Sequence, residues 1–180
     1  MKTKIIPALV LGLTFSATSF ADDADAAKES YKCKELISQM KHNEAFEHCL
    51  TACDADDSFS CSKLGFLHLY GSKAHHDLKQ SVKYYRKACD LDDGKSCGFM
   101  GLCYELGQYE VKEDINQAVA YLQKACDLND GEGCDRLAYL HLKGKGVKKS
   151  VTRAYELFQK ACDNRNQDGC EKIEERDSGK

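Results

Sequence analysis

The stretch Tyr85-Arg86-Lys87-Ala88-Cys89-Asp90-Leu91-Asp92-Asp93-Gly94-Lys95-Ser96-Cys97 returns 37 residues later as Leu122-Gln123-Lys124-Ala125-Cys126-Asp127-Leu128-Asn129-Asp130-Gly131-Glu132-Gly133-Cys134. Its frame is a pair of cysteines eight residues apart, and Cys53/Cys61 and Cys162/Cys170 keep the same spacing. The first members of the four pairs advance by 36, 37 and 36 residues. A fixed period of this length is the sequence signature of stacked helical hairpins. Other positions obey the same register: Ala88, Ala125 and Ala161; Leu64-Gly65, Met100-Gly101 and Leu137-Ala138; Gly71, Gly107 and Gly144.

Each unit reads as two helices. The first, exemplified by Cys61 to Tyr70, begins near the second cysteine of a pair and ends at a glycine suited to a helix C-terminus. The second, exemplified by Val151 to Cys162, places Val151, Ala154, Tyr155, Phe158, Ala161 and Cys162 at helical spacing. Its alanines permit close helix contact, and its aromatic positions fill space against the next unit. Asp-Leu-Asp-Asp-Gly and Asp-Leu-Asn-Asp-Gly are turns able to cap the helix that follows. A single hairpin cannot bury its apolar face, so stacking must supply the core.

The cysteines then act as staples. Each eight-residue pair joins the end of one unit's second helix to the start of the next unit's first helix, and closing so small a loop stabilises by about 2.5 kcal/mol in the chain-entropy picture. Zinc is the competing reading, but the spacing is not that of zinc knuckles and no histidine sits at a matching offset. Cys33 and Cys49 lie 16 residues apart on the two helices of a shortened N-terminal hairpin, where an Asn43-centred turn brings them level. Pairing Cys49 with Cys53 along one helix is geometrically poor. Cys103 aligns with Leu67 and Leu140 and reads as a buried free thiol. Five bridges and one thiol use all eleven cysteines.

Oxidised cysteines require an oxidising compartment, and the N-terminus agrees. Met1–Lys4 is a short basic start, an apolar stretch runs from Ile5 through Phe15, and Ser19 and Ala21 are the small residues a signal peptidase requires. Residues 1–21 are expected to be a cleaved signal peptide, giving a protein exported to the periplasm or beyond. The apolar run is too short for a membrane span. Without its two lysines the remaining chain carries 24 basic and 29 acidic side chains, a net of −5. That balance, with no basic block, argues against a nucleic-acid partner. Organisation beyond the signal is expected to be a hairpin over 22–54, repeats over 55–170 and a polar cap over 171–180.

Leu64-Gly65-x-Leu67, Gly144-x-Gly146-Val147 and the Lys-Ala-Cys-Asp-Leu blocks resemble Sel-1-like repeats, and the cysteine pair in every unit is similar to the disulfide-bearing Helicobacter cysteine-rich branch of that family. The resemblance covers roughly Cys53 to Cys170. It departs from the motif at His75-His76, where the loop glycine-valine is missing, and at Tyr109-Glu110, where an extra residue enters. It implies an all-α, right-handed solenoid of antiparallel helix hairpins whose inner face binds proteins or peptides. It also implies two alternatives: a β-lactam-binding protein or weak β-lactamase, and a periplasmic immunity protein against a secreted toxin.

The residues give the enzyme reading little. Ser-x-x-Lys occurs at Ser38–Lys41 and Ser60–Lys63, but no Lys-Thr-Gly or Ser-Asp-Asn accompanies either. No His-x-His-x-Asp cluster is present; His42 and His48 sit on the N-terminal hairpin with no cysteine left free to complete a metal site, and the His75-His76 pair reads as a solvated loop tip. Neither cofactor nor metal is expected. His68, Tyr104 and His141 share one repeat position; with Tyr70 and Tyr139 they are the candidate binding residues, on the first helices of what is taken as a monomer.

Overall fold

The computed structural model of the chain describes the backbone of residues 18–71 and 76–179, with side chains from residue 24 onward. The expected signal segment therefore lies mostly outside the described residues, and so does His75. Among the described residues the secondary structure is entirely helical: α1 (Thr18–Ser38), α2 (His42–Asp54), α3 (Ser58–Tyr70), α4 (Leu78–Asp90), α5 (Gly94–Leu106), α6 (Ile115–Asp127), α7 (Gly131–Lys143), α8 (Val151–Asp163) and α9 (Gln167–Asp177). Odd-numbered helices are the first helices of the hairpins and even-numbered ones the second.

The first helices start about one turn earlier than the cysteine pattern suggests, at Ser58 rather than Cys61. The cause is the cap. Asp57, Asp93 and Asp130 each accept a backbone N–H from the first turn, at 2.8, 2.7 and 2.8 Å, and Asn166 does the same at 2.7 Å. The preceding turn repeats equally strictly. Asp56, Asp92, Asn129 and Arg165 all sit at φ of 63–65°. In the Asp92 turn the Asp92 N–H donates to the Cys89 carbonyl and the Asp93 N–H to that of Ala88. This is the Schellman arrangement, with Asp or Asn taking the left-handed position in three of four turns.

Between first and second helices the loops differ in length but close identically. The N–H groups of Asp77, Asp114 and Ser150 donate to the carbonyls of His68, Tyr104 and His141 at 3.0, 2.9 and 3.0 Å. Gly107 and Gly144 take the left-handed conformation expected of them, at φ 63° and 69°. Gly71 does not: its φ of −70° and ψ of −177° are extended. The second loop thus leaves its helix by a different path, as the missing glycine-valine implies. The extra residue at Tyr109-Glu110 is absorbed by two consecutive left-handed residues, at φ 54° and 63°.

Packing explains the small residues. A Cβ on Gly65 would lie 2.7 Å from the Tyr85 ring, and one on Gly101 would lie 2.7 Å from Leu122. The first helix therefore carries a notch that receives the bulky residue of its partner. At Gly133 and Gly169 the neighbour is the repeat alanine, 2.6 Å from Ala125 Cβ and 2.7 Å from Ala161 Cβ, so hairpin meets hairpin at nearly backbone contact. Cys33 and Cys49 replace such packing with a covalent bond in the first hairpin.

All five expected bridges form: Cys33–Cys49, Cys53–Cys61, Cys89–Cys97, Cys126–Cys134 and Cys162–Cys170, with Cα atoms 4.5–4.9 Å apart. Cys103 is the free thiol and is buried. Burial pushes its pKa up to about 12, which keeps it protonated and unreactive. The repeat lysine adds a second tie. Lys87 Nζ donates to the Cys53 carbonyl at 2.7 Å and pairs with Asp56 at 2.9 Å; Lys124 repeats this with the Cys89 carbonyl and Asp92 at 2.7 and 3.0 Å. Each lysine thus caps the negative end of the preceding second helix. Successive first helices, by contrast, approach one another directly, at α1/α3, α5/α7 and α7/α9. That makes the first-helix side the inner side of the solenoid.

Candidate functional site

The five candidate residues separate into two groups. His68, 8 % exposed, stacks on Tyr84 of α4 at 5.4 Å and meets Phe46 of α2 edge-on at 5.4 Å. Tyr104 stacks on Tyr121 at 5.5 Å, and Arg86 donates to its hydroxyl at 3.2 Å. It also lines a pocket of about 500 Å³ with Lys79, Arg86, Tyr109 and Asp114. His141 lies with its ring Nδ1 3.3 Å from the Lys148 carbonyl. All three turn toward the second helices and the loops, where they hold hairpins together.

Tyr70 and Tyr139 lie elsewhere. Tyr70 is 64 % exposed and packs on Phe66 at 5.1 Å, and Phe66 meets His42 at 6.0 Å. Burial and then the neighbouring Tyr70 push the Tyr109 phenol pKa upward, so the two tyrosines adjoin. Tyr109 stacks on Phe99 at 5.4 Å, and Phe99 packs at a tilt on Tyr85 at 4.1 Å. One aromatic run therefore crosses from α3 to α5. Repeat comparison could not find it, because Phe66, Phe99 and Tyr109 share no repeat position. Beside it, Gly98, Phe99 and Leu102 floor a groove of about 320 Å³ between α5 and α7, rimmed by Lys95, Glu132 and Arg136. Further along, Tyr139 meets Phe158 edge-on at 5.1 Å.

The groove is followed by Asp135, a residue the repeat register could have flagged: Ser62 and Gly98 occupy its position in earlier units. Asp135 is 6 % exposed, and its Oδ1 has no hydrogen-bond partner among the described residues. Burial first, then Asp168 and Glu132, raise its pKa from 3.8 to about 6. A raised carboxyl pKa means the folded state prefers the neutral acid. The native state is therefore favoured below about pH 4 and loses that advantage as pH rises through about 6. Neutral Asp135→Asn should then raise stability at about pH 8 by about 1–3 kcal/mol and leave it nearly unchanged at about pH 4. Urea unfolding midpoints at the two pH values check this.

Neither Ser-x-x-Lys pair is arranged for catalysis. Ser38 Oγ donates to the Glu35 carbonyl at 2.6 Å while Lys41 pairs with Glu44. Ser60 is fully buried, and Lys63 Nζ lies 5.0 Å over the Phe59 ring. Among the described residues no three His, Cys, Asp or Glu side chains group so as to hold a metal ion, and no helix is long and apolar enough to cross a membrane.

No curated protein sequence matches the chain. Among solved structures, it is similar to Helicobacter pylori cysteine rich protein B, at 36 % identity and a TM-score of 0.57, over 72 % of this chain and 92 % of that one. A Sel1 repeat protein from Oxalobacter formigenes matches at 26 % identity and a TM-score of 0.62, over 70 % of this chain and only 50 % of the Oxalobacter protein's length. A protective antigen of uropathogenic Escherichia coli with an SLR fold shares the fold at 19 % identity and a TM-score of 0.68, over 85 % and 32 % of the two chains. The model of the Sel1 repeat matches residues 58–93, 94–130 and 131–166, each running from the first residue of a first helix to the cap of the next. With more than half of its length matched, the chain belongs to the Sel1 repeat family.

Proposed function

We propose that this chain is an exported binding module that holds a protein or peptide segment along the inner face of its first helices. The observation that carries this reading is the aromatic run with its adjoining groove. Phe66, Tyr70, Phe99, Leu102 and Leu106 are solvent-accessible to some degree, although the scaffold has four hairpins in which to bury them; Tyr70 is 64 % and Leu106 51 % exposed. An exposed apolar surface on an oxidised, stapled scaffold marks an interaction site. Tyr70 and Tyr139 belong to that face, whereas His68, Tyr104 and His141 serve the hairpins. Export is supported by the five disulfides and by the composition of residues 1–21.

Site-specific photo-crosslinking in the native host tests the reading. A photoreactive phenylalanine at Tyr70 or Leu102 is expected to trap a discrete partner, and the same residue at Lys83 or Gln159 of the second helices is not. Adducts formed equally from both sides, or from the second helices alone, would contradict it.

A further inference from the structure

The inner face changes character along the solenoid. Its aromatic run ends at α5, and past the α5/α7 groove Asp135 of α7 and Asp168 of α9 bring two carboxylates together. We infer that Asp135, with Asp168 beside it, seats a lysine or arginine side chain of the bound segment, next to an apolar side chain lying in the Gly98–Phe99–Leu102 groove. The inference rests on the inner-face binding proposed above.

The first support is the isolation of Asp135. The cations near it are engaged within their own helices: Arg136 with Glu132 at 2.9 Å and Lys172 with Glu175 at 2.7 Å. Asp135 makes no ion pair with either, and its Oδ1 is buried without a partner. A carboxylate so placed is costly unless something completes it. The groups facing it are Glu132, Arg136 and Tyr139 from α7, and Asp168 and Lys172 from α9. Arg136 and Lys172 offset the charge on Asp135 only from a distance, so Asp135 and Asp168 face each other without a direct ion pair.

The second support comes from the repeat register. At Gly98 a Cβ would lie 2.6 Å from Asp130 Oδ2, so the cap carboxylate of the next helix fills that space. One unit later the cap is Asn166 instead of Asp, and the residue aligned with Gly98 is Asp135. The carboxylate has moved from the cap, where it is tied to a backbone N–H, to the first helix, where Oδ1 has no hydrogen-bond partner. Fold maintenance does not require that exchange, because Asp93 and Asp130 serve as caps in the other units. With fewer than three metal-ligating side chains grouped here, the complement is an organic cation.

Panning a random decapeptide phage library against the oxidised full chain at about pH 8, where Asp135 is ionised, tests the inference. Enriched peptides should carry Lys or Arg beside an apolar residue. A synthetic copy of one should bind the Asp135→Asn variant on the order of 10–100-fold more weakly, and should also weaken as pH falls below about 6. Leu102→Glu should abolish binding, and the outward-facing Asp163→Asn should not alter it. Peptides lacking a base, or peptides blocked by Leu102→Glu but bound equally by Asp135→Asn, would overturn the cation seat and leave inner-face binding standing. Peptides indifferent to both variants, or no enrichment at all, would overturn both.

Discussion

Reduction of all five disulfides is expected to unfold the protein at room temperature. Four bridges close eight-residue separations and one closes sixteen. In the chain-entropy model each of the four contributes about 2.5 kcal/mol and the longer one about 3, about 13 kcal/mol together. Domains of this size are stable by roughly 5–15 kcal/mol in total, so the reduced chain has little left. Solenoid architecture sharpens the effect, because each hairpin is supported only by its neighbours. Accessibility sets the order of events. Eight of the ten bridged cysteines are buried, whereas Cys162 and Cys170 are partly exposed, so the C-terminal bridge should open first. Far-ultraviolet circular dichroism during a dithiothreitol titration follows the loss of helix. A reduced chain that keeps its helicity and a cooperative urea transition would show that packing, not cross-linking, holds the units.

The second large effect is expected at Phe158. Among the described residues it is the largest fully buried side chain; it meets Tyr139 at 5.1 Å and Tyr155 at 5.9 Å, and it occupies the repeat position of Tyr85 and Leu122. Its partner position on the first helix is Ala138, the small residue that leaves it room. Truncation to alanine removes the bulkiest side chain of a core it shares with Leu137, Leu140 and Leu157, and Phe158→Ala should cost about 3–5 kcal/mol. Because stability in a repeat array is local, the loss should be uneven. Amide exchange should accelerate over α7, α8 and α9 while α3 and α4 keep their protection. A uniform acceleration would mean that the array unfolds as one unit; a cost below about 1 kcal/mol would mean that the hairpin collapses to fill the void.

How far the sequence carried the fold depends on periodicity. Hairpin pairing and the four eight-residue bridges could be read because Ala88, Cys89, Gly101 and their counterparts recur at fixed offsets, and a recurring position has one structural cause; Cys33–Cys49 had no such repeat and was read from the turn between its two helices. Gly71 shows the limit. It shares a repeat position with Gly107 and Gly144 yet lies in extended backbone, because the loop after it lacks the residues that make the left-handed turn useful. The shared position of His68, Tyr104 and His141 was legible for the same reason as the scaffold, and its backbone carbonyl accepts the bond that closes each loop.

The candidate site was harder to see. Phe66, Phe99 and Tyr109 meet because neighbouring units bring unlike positions together, and no offset marks them. Asp135 was visible in principle, as a charge where earlier units carry Ser62 and Gly98, but only burial and the unpartnered oxygen give that departure meaning. In a repeat protein the regular positions describe the scaffold, and a departure from them that packing leaves unexplained is where function is to be sought.

Unit boundaries, buried faces and the inner face all follow from one pairing of cysteines. The direct test is to alkylate the denatured, unreduced protein and map its peptides by mass spectrometry. The predicted result is one modified residue, Cys103, with linked peptides joining Cys33 to Cys49 and the four eight-residue pairs. Alkylation at any other cysteine, or a bridge through Cys103, would contradict the account.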